Sequence, residues 1–275
     1  MILLSDRPRQ GVPAAAADAP VLECLQVERR FGGLIALAGV ELQVRRGEIF
    51  GLVGPNGSGK TTLVNAITGF YPPQRGRILL EGRDITGMAP HAVARLGVAR
   101  TFQNLALFNG MTVLDNILLG RHVHMRPSVL RTALYSLLAR RDETDNRVIV
   151  EEVIDFLQLQ GVRDELVDVI PIGLKKRVEL ARALVAEPRF LILDEPMAGM
   201  NQEEKEYMAR FVLDARDERG VTVLLIEHHM DIITGICDRM LVLSYGEMID
   251  TGMPRDVIKN PRVIKAYLGG AGGAA

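Results

Sequence analysis

The segment Gly54-Pro55-Asn56-Gly57-Ser58-Gly59-Lys60-Thr61-Thr62 constrains this chain more than any other stretch. Gly54 to Thr61 fits GxxxxGK[ST], a pattern in which glycines let backbone N–H groups close around phosphate oxygens. Such a loop sits between a buried strand and the start of a helix, whose dipole adds positive potential at the anion. The flanks agree. Glu48-Ile49-Phe50-Gly51-Leu52-Val53 reads as a buried strand, and the spacing predicts a helix from about Lys60 to Ile67 that stops near Gly69. In this setting Lys60 reaches the β- and γ-phosphates of a nucleotide, and the Thr61 hydroxyl is a hard oxygen ligand suited to Mg²⁺.

The rest of the chain supplies the sheet that this unit needs. Phe190-Leu191-Ile192-Leu193 and Val221-Thr222-Val223-Leu224-Leu225-Ile226 are continuous apolar strands separated by a polar helical stretch, the pattern of a parallel α/β sheet. Before it, short apolar runs alternate with polar residues from Val21 to Val44. The run Arg77-Ile78-Leu79-Leu80-Glu81 repeats that style after the turn signal Pro72-Pro73, which predicts a small antiparallel sheet. From about Pro90 to Leu184 a helical period dominates, with Val150, Val153, Ile154 and Leu157 at three- and four-residue spacing, so a helical region interrupts one α/β core. Met1 to Pro20 and Gly269 to Ala275 read as tails.

Bulk properties narrow the partners. The 275 residues are 48% hydrophobic, ample for a packed core, and the formal net charge of -1 gives neither nucleic acid nor an anionic membrane surface an overall field to follow. Cys24 and Cys237 lack metal-ligand or CxxC spacing and read as buried thiols of a reduced, intracellular chain. A membrane-spanning helix needs about 20 mainly apolar residues. The longest uninterrupted apolar run is five residues, Leu34 to Ala38. The start of the chain lacks the basic n-region and long apolar stretch of a secretory signal.

Asp194 and Glu195 follow the apolar strand ending at Leu193, so both carboxylates emerge at the C-terminal edge of a strand, where open α/β sheets bind ligands. Asp194 is placed to hold Mg²⁺ through water, and Glu195 to orient or deprotonate an attacking water.

With these motifs in order, the chain from about Val21 to Leu268 resembles the nucleotide-binding subunit of an ATP-binding cassette (ABC) transporter. The resemblance implies a P-loop NTPase (RecA-like) α/β core with a small antiparallel β subdomain. It also implies an inserted α-helical signature subdomain, about 90–176, within a single domain over 21–268 and a C-terminal family extension of about 251–268. By the same resemblance Phe31, in Arg30-Phe31-Gly32-Gly33, is the aromatic on which adenine stacks. Gln103, in Thr101-Phe102-Gln103-Asn104, is the glutamine that senses the γ-phosphate and Mg²⁺; read alone it is an ordinary surface residue. His228 matches the switch histidine that contacts the γ-phosphate and the attacking water, with His229 as the competing candidate. Ala198-Gly199-Met200-Asn201 occupies the turn that passes between subunits, with Asn201 in place of the usual aspartate.

One motif departs from the family. Where most members carry Leu-Ser-Gly-Gly-Gln, closing over ATP held by the opposite subunit, this chain reads Ile170-Pro171-Ile172-Gly173-Leu174, and the helix Lys175 to Leu184 fixes the alignment. Pro171 supplies neither hydroxyl nor N–H, so this edge keeps Gly173 and the helix dipole but loses donors to the γ-phosphate. The expectation is pairing with a different ATPase subunit carrying a fuller signature, a homodimer being the alternative.

The relaxed signature, Glu195-Pro196-Met197-Ala198-Gly199-Met200-Asn201, Ile226-Glu227-His228 and the closing segment Asn260 to Gly269 together resemble the ATPases of branched-chain (hydrophobic) amino acid uptake. That resemblance implies ATP and Mg²⁺ as cofactors and a second ATPase, two membrane permeases and an extracytoplasmic solute-binding protein as partners, but no nucleic acid. It places the chain peripherally on the cytoplasmic face of the inner (plasma) membrane. Permease coupling helices then meet a cleft near Gln103 to Phe108; Leu105, Leu107 and Phe108 are either apolar contacts there or core. The rival readings are the ATPase of a lipopolysaccharide exporter, against which the long segment Arg121 to Arg147 argues, a soluble ABC ATPase working on DNA or ribosomes, and a regulatory module that binds nucleotide without hydrolysing it. The presence of both Glu195 and His228 speaks against the last.

Overall fold

The computed structural model describes residues 20–103, 105–123 and 138–269. The tail expected at 1–20 lies outside them except for Pro20, and that at 269–275 except for Gly269; Asn104 and residues 124–137 of the segment Arg121 to Arg147 are also outside. The described strands are β1 (Pro20–Phe31), β2 (Leu34–Arg45), β3 (Ile49–Val53), β4 (Arg75–Leu80), β5 (Arg83–Asp84), β6 (Val98–Arg100), β7 (Phe190–Asp194), β8 (Thr222–Ile226), β9 (Arg239–Ser244) and β10 (Glu247–Gly252). The described helices are α1 (Lys60–Ile67), α2 (Pro90–Ala94), α3 (Val113–Leu118), α4 (Leu138–Phe156), α5 (Ile172–Leu184), α6 (Gln202–Arg219), α7 (Met230–Ile236), α8 (Pro254–Val257) and α9 (Pro261–Gly269).

The chain divides into two compact units, one from the described parts of Met1–Val98, Arg189–Glu195 and Ala209–Ala275, the other from those of Ala99–Pro188 and Pro196–Met208. In the first unit a sheet of order β10-β9-β3-β8-β7-β6 has β9, β3, β8 and β7 parallel, with β10 antiparallel at one edge. Every residue of β3, β7 and β8 is buried, as expected of parallel strands covered on both faces. A second sheet, β2-β1-β4-β5, pairs antiparallel. Leu22, Cys24, Leu42, Val44, Ile78 and Leu80 from this sheet join Phe50, Leu63, Ile67, Ile192 and Leu224 in one buried cluster. The α/β core and the small antiparallel sheet therefore stand as the motifs predicted. Sequence periodicity passed over β6, which lies inside the stretch read as helical and carries the chain out of the first unit, and also β9 and β10.

The second unit is mainly helical. Val113 and Ile117 of α3, Val150, Val153 and Ile154 of α4, and Val178, Leu180 and Ala181 of α5 are buried. The start of α3 is fixed by reciprocal bonds between Thr112 and Asp115. After a short 3-10 turn, the nearly buried Arg121 guanidinium donates to the Val185 carbonyl and to Glu187, each at 2.6 Å, and to Asn146 Oδ1 at 2.8 Å. The start of α6 has the same reciprocal device as α3: the Glu204 N–H donates to Asn201 Oδ1 at 2.9 Å, and the Asn201 N–H to Glu204 Oε2 at 3.0 Å.

Candidate functional site

Strand β8 lies between β3 and β7, with Leu52 level with Ile226 and Ile226 level with Asp194. The residues that follow the three strands therefore emerge together along one sheet edge. Gly54 to Lys60 follow β3, Asp194 closes β7 with Glu195 next to it, and Glu227 and His228 follow β8. This is the edge at which open α/β sheets take ligands.

The phosphate loop can take its shape only without side chains at two points. Gly54 has φ 153°, and a Cβ there falls 2.2 Å from the Leu243 carbonyl oxygen and 2.7 Å from Ser58 Oγ. At Gly59, φ 106°, a Cβ falls 2.5 Å from the Ala36 carbonyl oxygen. Lys60 Nζ is drawn inward and donates to the carbonyls of Gly54 at 2.8 Å and Pro55 at 3.0 Å. Burial lowers its pKa, and the charges of Glu195 and Asp194 oppose that shift. Ser58 Oγ is buried without a hydrogen-bond partner, an orphan polar atom that a phosphate oxygen would satisfy. Asn56, Gly57 and Thr61 are exposed, and Pro55 and Thr62 are half-buried.

The carboxylates differ in setting. Asp194 is buried at the strand end, whereas Glu195 is half-buried and has φ 50°, a left-handed backbone costly for a residue of its type. Its N–H donates to the Ile226 carbonyl at 3.0 Å, which pins the turn to β8. Beyond β8, Glu227 is fully buried; its Oε2 lies 3.1 Å from His229 Nδ1 but 3.9 Å from His228 Nδ1, and His228 is the more exposed ring. His229 is thus engaged inward, and His228, its ring 4.1 Å from that of His229, is the more exposed of the two at the edge. Phe31, at the end of β1, is 41% exposed and meets Tyr71 edge-on at 5.6 Å, with the Arg29 guanidinium 4.8 Å from its ring centre.

Gln103, Pro171 and Gly173 belong to the second unit. Gln103 is exposed between a buried Thr101 and a half-buried Leu105. Pro171 stands at the N-cap of α5 with no side-chain cap bond, and Gly173 is buried in the first turn. Leu107 is half-buried, while Phe108 is 54% exposed with its backbone tied to Asn116.

Three features of the site were not singled out by sequence reasoning: the left-handed Glu195 backbone, the buried Glu227 carboxylate and Tyr267. The Tyr267 hydroxyl, in the closing helix α9, is buried beside the Gly54 backbone, and burial pushes its pKa up to about 12. The closing segment read only as a family marker therefore reaches the phosphate loop. An apolar spacing that leaves Tyr267 inward on α9 was the one available signal.

A phosphate loop, a strand-end carboxylate pair and an edge histidine on one parallel sheet define a nucleotide-binding cassette. The family model described as ABC transporter matches residues 37–198, and the chain belongs to that family. It is 39% identical over 252 residues to the high-affinity branched-chain amino acid transport ATP-binding protein BraF of Pseudomonas aeruginosa, covering 92% of this chain and 99% of that one. Identity to the corresponding protein LivG of Escherichia coli is 37%, with the same coverage. Identity to a probable LivG of Archaeoglobus fulgidus is 34%, covering 90% of this chain and 95% of that one. Among solved structures, an ATP-binding cassette of an ABC transporter in its ADP conformation matches with TM-score 0.79 and 32% identity over 91% of this chain and 99% of that one. A nucleotide-free cassette matches with TM-score 0.78 and 32% identity, over 90% and 98%. The chain is accordingly an ABC-type ATPase, the ATP-binding subunit of a transporter. No helix among the described residues is long and apolar enough to cross a membrane.

Proposed function

We propose that this chain hydrolyses ATP to drive uptake of branched-chain or related hydrophobic amino acids. It would work from the cytoplasmic face of the inner membrane, with a second ATPase, two permeases and an extracytoplasmic solute-binding protein. The observation that carries the chemistry is the alignment of Leu52, Ile226 and Asp194 in register, which lines up the three strand ends. What supports the cargo is likeness to branched-chain amino acid transport proteins over nine-tenths of the chain. That likeness favours the importer over the exporter and the soluble readings.

In this reading Phe31 stacks on adenine, and the backbone of Gly54, Pro55, Asn56, Gly57, Ser58 and Gly59 with Lys60, Thr61 and Thr62 cradles the phosphates. Thr61, Asp194 and Gln103 would offer hard oxygens to Mg²⁺, which would supply positive charge against the charge developing on the phosphates. Glu195 takes the proton of the attacking water while His228 and Gln103 hold that water and the γ-phosphate in line. Pro171 and Gly173 face ATP held by the other subunit. Replacing Glu195 with Gln should abolish turnover and trap ATP in a stable dimer, read by size-exclusion and bound nucleotide; unchanged turnover removes Glu195 from its role. The amino acid carried is tested by calorimetry on the cognate solute-binding protein, where failure to bind leucine, isoleucine or valine would refute the cargo assignment.

A further inference from the structure

Residues 101–103 and 105–108 have no regular structure, yet they are fastened at several points within the second unit. The Phe102 N–H donates to Glu179 Oε1 at 3.1 Å, and the Ala106 N–H bonds to the same carboxylate. Arg182, three residues further along α5, donates to the Ala106 carbonyl. At the far end Asn116, fully buried on α3, clasps Phe108 by both backbone groups, at 2.8 and 3.2 Å.

Glu179 is only 2% exposed, and its ionic partner on the same helix face, Lys176 Nζ, lies 3.6 Å away and is 3% exposed. Burial raises the Glu179 pKa, and the Lys176 charge beside it works against that shift. A buried ion pair seldom contributes more stability than apolar side chains of the same volume would. Stability alone is therefore a weak reason for placing these charges inside α5. What the carboxylate does is accept from the backbone on both sides of Gln103, at Phe102 and at Ala106.

We propose that Glu179 is a positioning residue for ATP hydrolysis: with Lys176 and Arg182 it ties the chain on either side of Gln103 to α5, the helix that begins at Pro171 and Gly173. Gln103 is then placed by the helix whose N-terminus faces ATP on the other subunit. A displacement of α5 carries Phe102 and Ala106 with it. This rests on the role given to Gln103 above.

The test is a mutant cycle on ATP turnover of the full chain, with melting temperature measured in parallel. Gln103→Ala, the apolar pair Lys176→Met with Glu179→Leu, and their combination are compared with the parent. The apolar pair should melt within a few degrees of the parent while kcat falls about tenfold, the scale of a lost positioning contact. Adding Gln103→Ala to it should cost nothing more, because both changes remove one step. Full turnover in the apolar pair, or losses that multiply in the combination, would overturn the proposal. If Gln103→Ala alone keeps full turnover, the role given to Gln103 fails, a result distinct from an impaired Gln103→Ala beside an unaffected pair. Should the apolar pair not fold, Glu179→Gln, which keeps one acceptor and loses the other, runs through the same cycle: an intermediate loss that vanishes in the Gln103→Ala background supports the proposal, and a loss that persists there refutes it.

Discussion

At the scale of single residues, Glu195 shows what the site costs the fold. Its φ of 50° places a residue other than glycine in the left-handed region, at roughly 1 to 3 kcal/mol. Asparagine adopts that backbone more readily. Glu195→Asn should therefore melt no lower than the parent, while turnover falls about a hundredfold or more with the loss of the base. A variant that both melts well below the parent and keeps its turnover would contradict both halves. The identity of Glu195 was plain in the sequence because a carboxylate pair closed an apolar run, but its backbone was not. Nothing in the letters Asp-Glu-Pro specifies a positive φ, nor the bond from the Glu195 N–H to Ile226 on the neighbouring strand that accompanies it. The order Ile226-Glu227-His228 favours His228 over His229 in the sequence, but the buried Glu227 carboxylate beside His229 is a tertiary fact that the letters do not carry.

At the scale of elements, long periodic or continuously apolar stretches were legible and short ones were not. β3, β7, β8 and α1 fall within a residue of their predicted bounds, because each is a buried run beside a glycine or charged stop. β6, three residues long, is a strand only because β7 pairs with it in the sheet, and local sequence carries no trace of that. The start of α5 offers a measurable consequence. Pro171 provides no cap, so Pro171→Ser should stabilise the helix by about 1 kcal/mol through a new N-cap bond. The same hydroxyl should raise turnover at the site that this edge completes on the partner ATPase, measured in the assembled complex. A stabilised variant with unchanged turnover would show that Pro171 does not limit that site.

At the scale of the whole molecule, the two edges of this chain are unequal. It carries a full phosphate loop with Glu195 and His228, but in the proposed reading its signature would offer a partner only Pro171 and Gly173. Beside an ATPase with a fuller signature, the site built on Lys60 and Glu195 should dominate. Disabling Glu195 here should then lower turnover several-fold more than disabling the matching glutamate of the partner, and equal losses would indicate two equivalent sites.

At the proposed partner-facing edge, Gly173, Asn201 and Glu204 are coupled. A Cβ on Gly173 falls 2.3 Å from Glu204 Oε1, while Glu204 Oε2 accepts from the Asn201 amide. The three atoms nearest a Cβ at 173 all belong to the Glu204 side chain, which must swing away and release the start of α6. Positions 173, 201 and 204 are therefore not free to drift independently: a larger residue at 173 calls for a shorter one at 204, and a shorter one at 204 leaves 201 to cap its helix alone. Libraries randomised at all three should return correlated survivors rather than a sum of single-site preferences.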